Sequence, residues 1–248
     1  LTHLDRRPPE EVTLYLMPSA VGPCRFGQYH VFTRKLLERL EIPDAAVFAT
    51  CSTEGYAGLG GGVTLAAWQS ILVGDLFEEM RAAILAGAEN PEEGLALLER
   101  VFKAALAANA LGWNALAPAL AHAGRALSAI RLKRPYAEIP KLSLVGEIFV
   151  RHDPIARQGL VERMARAGFI LRTSPITEWM KYTDWLIKNR IEGEPDKRYW
   201  LRAAVKWWFD TRIRRLLSAS GLVHAPSDVG RVVQAGSRFI SPMLSGEA

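Results

Sequence analysis

A chain of 248 residues with 49% hydrophobic content is long and apolar enough to bury a core, which excludes a disordered polypeptide. Its 31 basic and 26 acidic residues leave a formal charge of +5. That charge is spread along the chain, with a local excess only at Arg212, Arg214 and Arg215, and no aromatic–basic module accompanies it, so nucleic acid is not an expected partner.

The first predicted element is a short buried strand over VTLYLM, Val12 to Met17, ended by Pro18. A loop from Ser19 to Gly27 follows and holds Cys24. Phe32, Leu36, Leu37 and Leu40 then recur at helical spacing, which predicts a helix over 28–40. AAVFAT, Ala45 to Thr50, reads as a second strand. Strand, helix and strand in that order predict a βαβ unit with a parallel sheet.

CSTEGYAGLGGG, Cys51 to Gly62, has five glycines in twelve residues and is read as a loop. It fits neither a phosphate-binding loop nor a dinucleotide turn. A helix over 64–86 carries Trp68, Leu72, Leu76 and Met80 on one stripe. A second begins at Pro91 with Asn90 as its cap and runs through Leu97, Val101 and Ala105. Helix continues to about residue 130, bent at Gly112 or Pro118. Pro135 and Pro140 mark a linker.

After the linker the α/β pattern restarts. A strand over 142–145 ends at Gly146, a short helix spans 159–167, a strand spans 169–173, and a helix with Trp179, Tyr182 and Trp185 spans 177–188. A long helix over 199–218 carries Trp200, Trp207, Trp208 and Phe209. A last helix, over 228–237, has Ser227 as a candidate cap. The expected fold is therefore α/β: two Rossmann-like βαβ lobes with parallel sheets and a helical insertion between them. The expected divisions are 1–63, 64–134 and 135–248.

Ligands in open α/β sheets bind beyond the carboxyl ends of the strands. Four loops qualify. They carry Cys24 with Arg25, Cys51 with Glu54 and Tyr56, Glu147 with Arg151 and His152, and Ser174 with Glu178. Glu54, Tyr56, Glu147, Arg151 and Glu178 are the candidate substrate-binding residues. Two carboxylates at one sheet edge, Glu147 and Glu178, suit acid–base work or a basic ligand, and equally suit ion pairs. Cys24 stands beside Arg25 and ahead of a helix, a setting that favours thiolate. From the residues alone it is either an inert helix-entry thiol or a metal ligand. Cys51, at a strand end, needs only to be small and apolar. His30 and His152 have no partner at metal-ligand spacing and read as surface or structural histidines. Two cysteines make no disulfide framework, no apolar run reaches the roughly 18 residues of a membrane span, and no signal peptide is expected. A cytoplasmic setting is expected.

LMPSAVGPCRFGQYHVFTRKLLERL resembles a segment of large CoA-substrate-specific enzyme activases related to 2-hydroxyacyl-CoA dehydratases. LSLVGEIFVRHDPIARQGLVERMARAGF and SPITEWMKYTDW resemble the second lobe of the same family, in the same order. The resemblance implies a dehydratase-like, electron-accepting module. In it, ATP hydrolysed on a separate activase module drives low-potential electrons toward an acyl-CoA or small-molecule substrate. It implies an iron–sulfur cluster in the full-length protein and puts Cys24 at a cluster-ligating position. Cys51 matches no ligand position. With two cysteines and no phosphate-binding loop in the chain, the remaining ligands and the ATPase module are expected before Leu1 and after Ala248. Arg157 stands where the family pattern leads us to expect asparagine. The partners implied are the ATPase module, an acyl-CoA and a second copy of the chain, with no nucleic acid and no membrane. The alternative is a non-catalytic docking domain that keeps the fold.

Overall fold

The computed structural model describes residues 8, 10–19, 25–50, 60–191, 194–195, 199–226 and 228–244. Within them the protein is mixed α/β and mostly helical, with two small parallel sheets of two strands each. Among these residues no helix is long and apolar enough to cross a membrane. The chain divides into two compact units, Leu1–Leu65 and Ala66–Ala248.

In the first unit β1 (Thr13–Pro18) pairs in parallel with β2 (Ala45–Thr50), from Thr13 opposite Ala45 to Pro18 opposite Thr50. A parallel pair needs a crossover, supplied by a 3₁₀ turn at Arg25–Gln28 and by α1 (Tyr29–Arg39). The strand runs through Pro18 instead of stopping before it, because the ladder continues from the Ser19 N–H to the Thr50 carbonyl at 2.7 Å. Leu37 is buried, whereas Leu14, Leu16, Phe32, Leu36 and Leu40 are exposed. The expectation of a buried strand is corrected here. α1 packs on one face of the sheet, and alternation along β1 turns Leu14 and Leu16 to the other.

The second unit is built on α2 (Gly60–Gly87), which begins in the first unit and continues into this one. Gly60–Gly62 form its first turn and are not loop, contrary to the sequence expectation. Trp68, Leu72, Leu76, Met80 and Ile84 recur every fourth residue and are all buried. Each fully buried apolar side chain of this kind contributes about 1.5–3 kcal/mol relative to exposure. α3 (Pro91–Ala110) starts as expected. The Asn90 side chain accepts from the Glu93 N–H and Pro91 fills the first turn, where no N–H is required. Its buried stripe is Gly94, Leu98, Val101 and Ala105, with Leu97 at the edge. The chain reverses at Gly112, whose φ of 92° favours glycine, and α4 (Trp113–Leu127) packs back on α3. Pro118 lies inside α4 without ending it.

β3 (Lys141–Leu144) and β4 (Ile170–Thr173) form the second parallel pair. The sequence predicts one crossover helix between them. Three short ones are present: α5 (Ile148–His152), α6 (Pro154–Arg157) and α7 (Leu160–Arg166). The breaks fall where Asp153 caps α6 ahead of Pro154, and where Gln158 and Gly159 both take left-handed conformations. α8 (Ile176–Lys188) follows β4, and α9 (Tyr199–Ser218) crosses α4. α10 (Val229–Leu244) runs beyond the expected end at 237; Ser227 lies outside the described residues.

Candidate functional site

The carboxyl ends of β3 and β4 deliver the sequence VGEIFVRH and the residues 173–178 to one place. Gly146 turns the chain with a φ of 127°. The Glu147 carboxylate then accepts the Val150 N–H at 2.9 Å and so caps α5. One turn later Arg151 folds back. Its guanidinium donates to the Gly146 carbonyl at 2.5 Å and, through Nε, to the Ser174 carbonyl at 3.0 Å. Arg151 therefore ties the turn after β3 to the turn after β4. The His152 Nε2 lies 3.2 Å from the same Ser174 carbonyl, and the Ser174 hydroxyl donates to the Glu178 carboxylate at 3.1 Å.

The structure thus brings Arg151, His152, Ser174 and Glu178 together, with Glu147 one helical turn away. Glu147 caps a helix, Arg151 binds two backbone carbonyls, and Glu178 receives a local hydroxyl. Cys24, Cys51, Glu54 and Tyr56 lie outside the described residues.

Other functional side chains come from α2, and the sequence reading misses them. α8 has no side-chain cap of its own, since Pro175 precedes it. Asp75 supplies the cap from α2. Its two carboxylate oxygens accept the Ile176 N–H at 3.0 Å, the Thr177 N–H at 2.8 Å and the Thr177 hydroxyl at 2.7 Å. A carboxylate at a helix N-terminus also meets the positive end of the helix dipole. One turn on, Glu78 pairs with Arg157 at 2.6 Å. Glu79 accepts the His224 N–H at 2.9 Å and the Tyr136 hydroxyl at 3.4 Å, with the Arg172 guanidinium at 3.6 Å. The signal in the sequence is the i, i+3, i+4 spacing of three acids on one face of an otherwise apolar helix. Arg157 is thus an ion-pair partner for this acidic face.

Asp75, Glu78, His152, Arg157, Thr173 and Pro175 line a cleft at this edge. Beside it, Asp210 is buried and holds both Lys181 at 2.7 Å and Arg214 at 2.8 Å. The carboxylates here are engaged, so the cleft is preorganised and nearly charge-balanced. The Thr173 hydroxyl is buried and has no hydrogen-bond partner among the described residues. Burial pushes the His152 imidazole below its ordinary range, and the neighbouring Arg151 charge adds to this. The neutral ring that results donates from Nε2 to Ser174 and keeps Nδ1 as an acceptor. The same desolvation lowers the Arg151 pKa and, with Arg172 nearby, that of His224. Burial, then the Glu79 charge, raises the Tyr136 phenol. The arrangement suits hydrogen bonding to a small polar group at the strand ends.

The two depressed histidines make stability depend on pH. The unfolded chain takes up protons on His152 and His224 near the ordinary histidine pKa of about 6.5, before the folded chain does. Their contribution is full above that value and is lost as pH falls through the lower folded values. The urea midpoint is expected to drop on acidification from neutral pH, and His152→Gln is expected to flatten part of that slope. An unchanged slope in the variant would remove His152 from the account.

Among the described residues no group of three or more His, Cys, Asp or Glu side chains is placed to hold a metal ion. An iron–sulfur cluster takes four ligands, mostly thiolates, and the whole chain has two cysteines. The residues present therefore do not make up a cluster's ligand set. No family model, curated protein or solved structure matches the chain.

Proposed function

We propose that this chain is a dehydratase-like, electron-accepting module of a CoA-substrate-specific enzyme activase, made of two Rossmann-like lobes around a helical insertion. The reading rests on the quoted family resemblance. One observation supports it: both of the more specific motifs follow the carboxyl end of a strand in a parallel βαβ unit. Of the first motif, the described residues Arg25–Gln28 form the turn between β1 and α1, and VGEIFVR lies between β3 and α6. In each sheet taken by itself, the carboxyl end of the strands is where open α/β folds bind their ligands.

On this reading Cys24 is one ligand of a site completed from elsewhere, and ATP is hydrolysed on a separate module. Arg151 and Glu178 shape the strand ends without themselves reacting. Thr173 and the His152 imidazole offer the hydrogen-bonding groups nearest a bound small molecule or acyl-CoA.

The test is made on the chain assembled with its ATPase module. Cys24→Ser is expected to lower bound iron and abolish low-potential electron acceptance while ATP hydrolysis largely survives. Cys51→Ser is expected to change neither. The reason is ligand chemistry, since a serine oxygen is a harder and poorer ligand for cluster iron than a thiolate. Full iron content and an unchanged paramagnetic resonance signal in Cys24→Ser would defeat this reading. A docking domain would then lead. The internal pairing of Glu78, Glu79, Asp75 and Asp210 favours that second reading, because it leaves few charged groups committed to a ligand.

A further inference from the structure

Of the three short helices between β3 and β4, the middle one is held least. α5 is tied to the turn after β4 by Arg151 and His152, which both reach the Ser174 carbonyl. α7 buries Val161 and Ala165. α6 buries no residue. Its Pro154, Ile155 and Ala156 are exposed, Ile155 at 85%. Arg157 alone of its four residues is turned inward. Its side chain is 12% exposed and pairs with Glu78 of α2 at 2.6 Å. Both residues line the cleft, so this ion pair joins two of its walls.

The two ends of α6 have the build of pivots. Before it, Asp153 is extended, and its side chain accepts the Ala156 N–H at 2.8 Å. After it, Gln158 and Gly159 take consecutive left-handed conformations, with φ of 47° and 69°. A Cβ at Gly159 would touch only the Glu162 carboxylate, at 3.8 Å, so little packs against this turn. Hinges in proteins fall at such element ends. The bonds inside α6 are few: the Arg157 N–H reaches the Asp153 carbonyl at 3.0 Å and the Gln158 N–H the Pro154 carbonyl at 3.1 Å. One turn of helix is far shorter than a helix that persists by itself in water. α6 therefore keeps its shape while Arg157 is held and unwinds when Arg157 is released. With no buried apolar side chain to withdraw, its opening costs little beyond the ion pair and these bonds.

We propose that α6 is a flap on this cleft, pivoting at Asp153 and at Gln158–Gly159, with the Glu78–Arg157 pair as its latch. Closed, the flap keeps Arg157 in the cleft and the wall near charge balance. Open, it takes Arg157 out, widens the cleft on that side and leaves the Glu78 charge uncovered. The inference concerns how the cleft opens and does not rest on the redox reading. Amide hydrogen exchange of the 248-residue chain tests it. In the unaltered chain the Ala156, Arg157 and Gln158 N–H groups are expected to exchange by local opening, at a rate that low urea leaves unchanged. The Ile170 and Leu171 N–H groups of β4 are expected to accelerate with urea, because they exchange only through larger unfolding. Arg157→Met is expected to speed exchange in the flap on the order of tenfold and to leave β4 and α4 at parent rates. Glu78→Gln keeps the side-chain shape and leaves the flap's own sequence intact, and it is expected to do the same. The double variant is expected to add nothing further, since either change alone opens the latch. Flap exchange that rises with urea as β4 does would overturn the proposal. So would unchanged flap rates in the single variants, a rise shared equally by β4, or full additivity in the double variant.

Discussion

Asp75→Ala is expected to lower the unfolding free energy by roughly 2–4 kcal/mol, because it removes one carboxylate that serves three donors. The Ile176 and Thr177 N–H groups and the Thr177 hydroxyl would lose their acceptor at once. Thr177 is 1% exposed, so water reaches the vacated donors only if the start of α8 opens. Desolvation of unsatisfied groups, and not the loss of favourable bonds, sets most of the cost. Asp75→Asn keeps one acceptor oxygen and gives up the charge at the helix N-terminus, so a smaller loss is expected. Urea unfolding of the two variants beside the parent chain measures both effects. Amide exchange at Thr177 locates them, with protection expected to fall there before it falls in α4. A loss below about 0.5 kcal/mol for Asp75→Ala would show that α8 finds another cap.

That linkage also explains what the sequence can and cannot reveal. Helix starts with local chemistry are legible. Asn90 and Pro91 announce α3, because a cap and its recipient N–H lie three residues apart. The Trp68–Leu72–Leu76–Met80 stripe is legible for the same reason, since a four-residue period is local. The start of α8 is not, because its cap comes from a residue 101 positions away. Glu147 and Arg151 look like ligand groups because polar residues at strand ends often are. The structure gives the first to a helix cap and the second to two carbonyls, and only tertiary geometry separates those roles. Gly60–Gly62 read as loop by composition, yet they continue into 25 further residues of helix that offset their poor propensity. Leu14 and Leu16 read as buried from the apolar run alone. A two-stranded sheet with a helix on one side cannot cover both of its faces.

Gly124→Ala is expected to destabilise the second unit by roughly 2–4 kcal/mol, as overpacking at a helix crossing does when the obstacle is backbone. A methyl group at Gly124 would run into the Leu216 carbonyl oxygen on α9 and press on the Ala219 side chain. A carbonyl in a helix cannot rotate aside, so α4 and α9 must move apart. That separation loosens Leu120, Leu127, Ile213 and Leu217, which are all fully buried. The higher helix propensity of alanine offsets only about 1 kcal/mol of this. Gly74→Ala supplies the contrast. It lies in α2 one residue before Asp75, where a methyl group would meet nothing within 4 Å. Removing a helical glycine there is expected to stabilise by about 0.5–1 kcal/mol. Denaturant unfolding of both variants reads the two signs in one experiment. A stabilised Gly124→Ala protein would mean that α4 and α9 do not cross as closely as the glycine allows.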